Sequence, residues 1–199
     1  METPYLDYLD AKERFPRSLV HGPIRRYLRS RLDRLAEGSR LLDAGCGNGI
    51  ESGPLADRLR VHGIDYQASY VARCAQRWPR GQWQAGDLRQ LPFADGFFAG
   101  VLLNQVAEHL DEPREVFKEV RRVLAEGGLL ILATPNYGNF LWPLVENTWH
   151  RFFVREFDAE ENHVTPYDTA SLREHLSWFE IEDIGTVCLG SILVATARR

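Results

Sequence analysis

A short apolar run, an acid and three alternating glycines follow one another in RLLDAGCGNGI, residues 40–50. Leu41 and Leu42 read as the end of a buried strand, with Asp43 at its carboxyl end. Gly45, Gly47 and Gly49 let the backbone turn sharply and approach a ligand closely. A helix is expected at 50–60, offering unsatisfied N–H groups at its start. Pro54 falls in or near its first turn, where a missing N–H costs least. A strand, a glycine loop and a helix in this order cradle a nucleotide-like cofactor. Spacing narrows the choice. A dinucleotide fingerprint, G-x-G-x-x-G, needs its third glycine at position 50, where Ile50 stands.

VHGID at 61–65 sets a second acid, Asp65, at the end of a strand, 16 residues after Gly49. A carboxylate accepts two O–H donors at once, so an acid here in a doubly wound fold can hold both hydroxyls of a ribose. Taken alone, an acid after a strand also serves as a helix N-cap. Two longer segments follow: GDLRQLPFADGFFAGVLLNQVAEHL at 86–110 and EVRRVLAEGGLLILATPN at 119–136. In the second, Arg121 and Arg122 suit a helix C-terminus, Gly127 and Gly128 supply a stop and turn, and LLILAT reads as a buried strand that Pro135 ends.

In this order the four segments resemble the class I S-adenosylmethionine-dependent methyltransferases, in their small-molecule, ubiquinone and natural-product branch. The likeness covers residues 38–136 closely and 167–197 by pattern. It implies S-adenosylmethionine as cofactor, with Asp43, Gly45, Gly47 and Gly49 against its methionine and ribose portions. It further implies Asp65 on the ribose hydroxyls, with Tyr66 beside it in the cofactor site. Asp87 would receive the adenine amine, Leu88 would meet the ring through its backbone, and Asn104 would line the pocket. The chain departs from the family where Phe98 is followed by Ala99 and Gly100 instead of aspartate. That bears on the subfamily more than on the cofactor.

The remaining pattern is α/β. Residues 10–36 read as one or two helices broken at Gly22-Pro23. Strands are expected at 40–44, 61–65, 82–86, 97–103 and 128–134, with helices at 50–60, 67–78 and 113–124 between them. After a helix at 168–177, FEIEDIGTV and SILVATA form a closing hairpin. Such alternation argues for a doubly wound, mostly parallel sheet with helices on both faces. The family likeness sets it at seven strands in a Rossmann-like arrangement, the last antiparallel. The expectation is a single domain over 1–199.

Composition excludes several classes. Apolar residues make up 44 % and charged residues 26 % of 199, yet no run reaches the roughly 18–20 apolar residues that span a bilayer. METPYLDYLD lacks the basic and apolar parts of a signal peptide. Cys46, Cys74 and Cys188 are scattered, which fits a reducing, cytoplasmic setting. Cys46 reads as a small packing residue. Residues 12–40 hold nine Arg or Lys against three acids, but arginine outnumbers lysine 22 to 2 in the whole chain, so bias accounts for much of that density. No aromatics interleave these arginines as in a single-strand platform. Nucleic acid is therefore a minor alternative.

Residues 137–166 break the alternation. Seven of the chain's 22 aromatic residues fall between Tyr137 and Phe157. A segment this long is usually functional or structured. Its rings are expected to form a lid over a bulky, partly apolar acceptor, with a homodimer interface or packing on the sheet edge as the alternatives.

Methyl transfer from a sulfonium leaves the protein chiefly the work of alignment, helped by a base when the acceptor is a hydroxyl or amine. His109 is the first candidate base and His163 the second, followed by His150 and His21; His62 and His175 read as structural. Tyr5, Tyr8, Arg14 and Arg17 are candidates to close over the cofactor, an arginine meeting its carboxylate. No spacing assembles a metal site. The expected function is methyl transfer to a small molecule, with oxygen the preferred acceptor. An RNA methyltransferase and a non-catalytic S-adenosylmethionine-binding regulator are the alternatives.

Overall fold

The computed structural model describes residues 18–139 and 163–199. Seven strands form one sheet: β1 (Arg40–Ala44), β2 (Arg60–Asp65), β3 (Gln82–Ala85), β4 (Phe98–Asn104), β5 (Leu124–Pro135), β6 (Glu180–Val187) and β7 (Ile192–Arg198). Their order is β3-β2-β1-β4-β5-β7-β6. Pairs from β3 through β5 are parallel, and β7 runs antiparallel to both β5 and β6. The doubly wound sheet with an antiparallel last strand is thus as expected. Its lateral order has a physical reason. β7 is buried at every position from Ile192 to Ala197, whereas no residue of β6 is fully buried. The continuously buried strand takes the interior place, and the more exposed one tolerates the edge.

Among the described residues four α-helices flank the sheet: α1 (Ser18–Leu32), α2 (Ala68–Arg77), α3 (Pro113–Val123) and α4 (Thr169–His175). Two apolar clusters fill its two faces. On one, Val116, Phe117, Val120 and Leu172 pack with Leu42, Val101, Leu103 and Leu130. On the other, Ile24, Leu28 and Leu32 of α1 pack with Leu41, Leu102, Ile131 and Val194. Alternate residues of β1, β4 and β5 therefore point to opposite cores, as the two-residue period of a strand requires.

Three local expectations change. Gly22-Pro23 does not break the first helix; α1 runs through it. Proline already has a helical φ, and the lost N–H lies near the helix start, while the i, i+4, i+8 row Ile24–Leu28–Leu32 is anchored in the core. Second, no α-helix forms at 50–60, only the 3₁₀ turn Gly53–Leu55. A helix beginning at Ile50 would need Pro54 as its first i to i−4 donor, and Gly53 beside it is a weak helix former. Third, β5 begins at Leu124, directly after α3, not at 128. Leu124 pairs with Phe98, then pairing resumes at Leu129 with Gly100. Gly127, at φ 69°, allows that irregular stretch.

Among the described residues no helix is long and apolar enough to cross a membrane. Residues 140–162, which carry most of the aromatic segment with Trp149, Phe153 and His150, lie outside the described residues. So do Tyr5, Tyr8, Arg14 and Arg17.

Leu28 is fully buried between α1 and the sheet. Leu28→Ala should lower unfolding free energy by about 2–5 kcal/mol, the usual cost of a large-to-small change in a core. Urea denaturation checks this, and a loss below about 1 kcal/mol would mean that α1 is not part of the cooperative core.

Candidate functional site

In an open α/β sheet a crevice opens where neighbouring strands send their connections to opposite faces. Here that point lies between β1 and β4, since β1 pairs with β2 on one side and with β4 on the other. The loop after β1 carries the three alternating glycines, and the turn after β4 carries Asn104, Gln105 and His109. Both sequence signals thus converge on one place.

The glycine loop is held from three sides. Gly45 N–H and Cys46 N–H both donate to the Ile64 carbonyl, at 2.8 and 3.1 Å. Gly47 N–H donates to Asp65 Oδ2 at 2.9 Å, and the second Asp65 oxygen accepts from Gln67 N–H at 3.0 Å. Asp65 therefore ties the end of β2 to the middle of the loop. Gly45 sits at φ 79°, and a Cβ there would lie 2.4 Å from Val106 Cγ2. Gly49, at φ 67°, is enclosed by Cys74, Trp78 and Trp83, each with an atom 3.0 Å from where its Cβ would be. Trp78 Nε1–H also donates to the Asn48 carbonyl at 3.2 Å. These tryptophans brace the outside of the loop. Nothing in their own sequence context singled them out.

Burial sets the charges. Asp43 is 4 % exposed, and Ser52 Oγ–H donates to its Oδ2 at 2.5 Å. Loss of hydration pushes its carboxyl up to about 7, with the nearby Glu51 and Asp65 charges adding to the rise and the Ser52 hydroxyl opposing it. Asp65 is also raised by burial, against the pull of its backbone donors. Asp87 behaves differently. It is half exposed, and Arg89 grips both its oxygens, Nε at 3.1 and 3.0 Å and Nη2 at 2.7 Å. That guanidinium holds Asp87 below the usual carboxylate range and reaches on to Glu112 at 2.9 Å. Tyr66 is 75 % exposed and Leu88 is buried in the core beside Leu91.

At the β4 end, Asn104 Oδ1 and Gln105 Nε2 are buried with no hydrogen-bond partner among the described residues. Gln105 stands at φ 56°, a left-handed conformation that costs a non-glycine residue energy. Strain and orphaned polar atoms of this kind cluster at functional sites.

Beyond Gln105, a 3₁₀ turn at Ala107–His109 presents Glu108 and His109. Glu108 is 1 % exposed, and Thr134 Oγ1–H donates to its Oε2 at 2.9 Å. The chain returning at 163 is strapped to this turn. Val164 N–H and Thr165 N–H both donate to the Glu108 carbonyl, at 2.8 and 3.0 Å, and Thr165 Oγ1–H donates to the Leu110 carbonyl at 2.7 Å. His163 thereby comes to rest against His109, ring centroids 5.0 Å apart, and its Nδ1 is hydrogen-bonded to the Tyr137 hydroxyl. The two histidines offered as alternatives are neighbours. Sequence spacing hid the cluster, because Glu108 and His163 meet only through this strap. His62 and His175 instead pack among aromatic rings.

The switch-point crevice with its glycine loop defines a doubly wound domain of the kind that holds a nucleoside-containing cofactor. Residues 42–132 match a family described as a methyltransferase domain. A probable S-adenosylmethionine-dependent methyltransferase of Mycolicibacterium smegmatis is 36 % identical over 132 residues, 66 % of this chain and 51 % of the relative. A demethylmenaquinone methyltransferase of Renibacterium salmoninarum is 34 % identical, over 61 % of this chain and 54 % of the relative. The chain spans about half the length of these curated relatives. A solved S-adenosylmethionine-dependent methyltransferase from Aquifex aeolicus has the same fold, with a TM-score of 0.70 at 15 % identity over 96 % of this chain and 97 % of that one. Residues 42–132 thus form a methyltransferase domain of the kind shared by proteins named as S-adenosylmethionine-dependent methyltransferases.

Folded Asp43 keeps its proton up to about pH 7, whereas an ordinary aspartate releases it near 3.8. Its protonated form thus stabilises the fold fully below about 3.8, and that contribution is gone above about 7. The ligand-free protein should lose thermal stability as pH rises from about 4 to 7, and Asp43→Asn, which stays neutral, should flatten the profile. Equal slopes for the two proteins in calorimetry would contradict the assignment.

Proposed function

We propose that the chain transfers a methyl group from S-adenosylmethionine to a small-molecule acceptor, with oxygen as the receiving atom. The observation that carries this reading is the position of His109, with His163 against it, on the turn whose Val106 packs against Gly45 of the glycine loop. The demethylmenaquinone methyltransferases among the relatives support an acceptor of small-molecule type. The reading takes the chain as a single domain in the cytoplasm, with residues 137–166 as a substrate-side insertion.

The residues fit the cofactor. Gly45 leaves backbone in place of a side chain, and Asn104 Oδ1 is an acceptor in need of a donor such as an ammonium. Asp65 would hold the ribose hydroxyls with the lone pairs that Gly47 and Gln67 leave. Tyr66 would flank the ribose and adenine, Leu88 would present its backbone to the ring, and Asp87 would accept the adenine amine while sharing its oxygens with Arg89. Asp43 would support the loop from beneath, through Ser52. When bound, the cofactor supplies an electrophilic methyl on a sulfonium.

At the other end, His109 would take the acceptor's proton, and His163, oriented by the Tyr137 hydroxyl, would help to position the acceptor. Alignment by these groups lowers the barrier by fixing an in-line approach.

Two outcomes are expected. Asp65→Ala should weaken S-adenosylmethionine binding by about 1–3 kcal/mol in calorimetry, the cost of removing charge-assisted hydrogen bonds; unchanged affinity in a folded variant would overturn its role. S-adenosylhomocysteine should be released in the presence of a hydroxylated aromatic acceptor. His109→Ala should then lower kcat by about 10²–10⁴-fold with cofactor affinity retained, and a near-normal rate would remove His109 as the base.

A further inference from the structure

We infer that Glu108, His109 and His163 form a binding site for a divalent first-row transition cation of the zinc kind, at the acceptor end of the crevice. One ligand atom from each residue lies within 4.8 Å of the other two. His109 Nε2 stands 4.0 Å from Glu108 Oε1. Two imidazoles and a carboxylate suit zinc, manganese or cobalt, whereas magnesium favours sites built of oxygen. Bonds of about 2.0–2.2 Å around a tetrahedral ion put ligand atoms about 3.3 Å apart. The cluster must therefore contract by up to about 1.5 Å. The His109 side chain, 37 % exposed, is the member that would have to turn inward.

Three features distinguish this cluster from side chains that merely meet. Glu108 is fixed before any ion arrives, because Thr134 holds Oε2 while Oε1 stands on the side of His109. His163 is delivered by the two backbone hydrogen bonds to the Glu108 carbonyl, so two of the ligands are mechanically linked. With its Nδ1 engaged by Tyr137, Nε2 is the nitrogen to ligate. An imidazole held through its other nitrogen is the usual outer support of a metal ligand. Three protein ligands leave a fourth position for an acceptor hydroxyl, whose proton, made easier to remove by the cation, would pass to water, because His109 Nε2 then serves as a ligand and not as the base.

This inference rests on the reading of the pair as the acceptor end, yet its test is separate. Metal-stripped protein titrated with zinc chloride in a calorimeter should bind one equivalent per chain at micromolar or tighter affinity. His109→Ala, His163→Ala and Glu108→Gln should each weaken binding at least tenfold, with S-adenosylmethionine affinity preserved. Because Glu108 is buried and its variant is the one at risk of misfolding, the exposed His109→Ala carries the decision. Cobalt in place of zinc should give visible bands of nitrogen and oxygen coordination without thiolate charge transfer. Binding weaker than millimolar, affinity unchanged in both histidine variants, or a thiolate spectrum would overturn the site. Turnover by protein that binds no zinc would leave methyl transfer standing and remove the cation; tight zinc binding without S-adenosylhomocysteine release would do the reverse.

Discussion

The hydrogen bond from Gly47 N–H to Asp65 is the contact on which the cofactor half of the site depends. It is made by a carboxylate that is 6 % exposed, so water competes little for either partner and the loop is held at its midpoint. The loop backbone has few other restraints from within, because Gly45, Gly47 and Gly49 all adopt positive φ angles. Glycine permits this shape and does not enforce it. Enforcement comes from outside: Asp65 and the Ile64 carbonyl at the end of β2, and Trp78 and Trp83 against Gly49. The parallel pairing of β1 with β2 brings those groups to the loop.

The acceptor half hangs on the same loop through Val106, whose side chain occupies the space a Cβ on Gly45 would need. Any residue larger than glycine there would push the β4 turn away and take Glu108 and His109 with it. One close contact thus couples the two ends of the crevice. Beyond it, the Glu108 carbonyl gathers residues 164 and 165 and so helps to bring His163 to the site.

Much of the cofactor half was legible in the sequence because its parts are local. An apolar run, an acid, glycines at fixed offsets and a second acid after the next strand are each read within a few residues. The acceptor half was less legible. His109 and His163 appeared as alternatives because nothing in linear spacing reveals the strap at Val164 and Thr165. Glu108 went unremarked, since a glutamate in a polar turn is normally solvated, and its burial beside Thr134 appears only in three dimensions. The helix expected at 50–60 failed for a reason present in the sequence, Gly53-Pro54 in its first turns. The ion pair of Asp87 with Arg89 was likewise open to inspection two residues on. Proline misled in the other direction at position 23, where the buried row Ile24–Leu28–Leu32 outweighs one absent hydrogen bond.

A crystal structure of the chain with S-adenosylhomocysteine tests the central claim most directly. The account predicts both ribose hydroxyls within about 2.5–3.0 Å of Asp65 oxygens, the Gly47–Asp65 hydrogen bond intact, and the sulfur facing the His109–His163 pair across Val106. A ligand bound with its ribose away from Asp65, or with its sulfur turned from the two histidines, would contradict it.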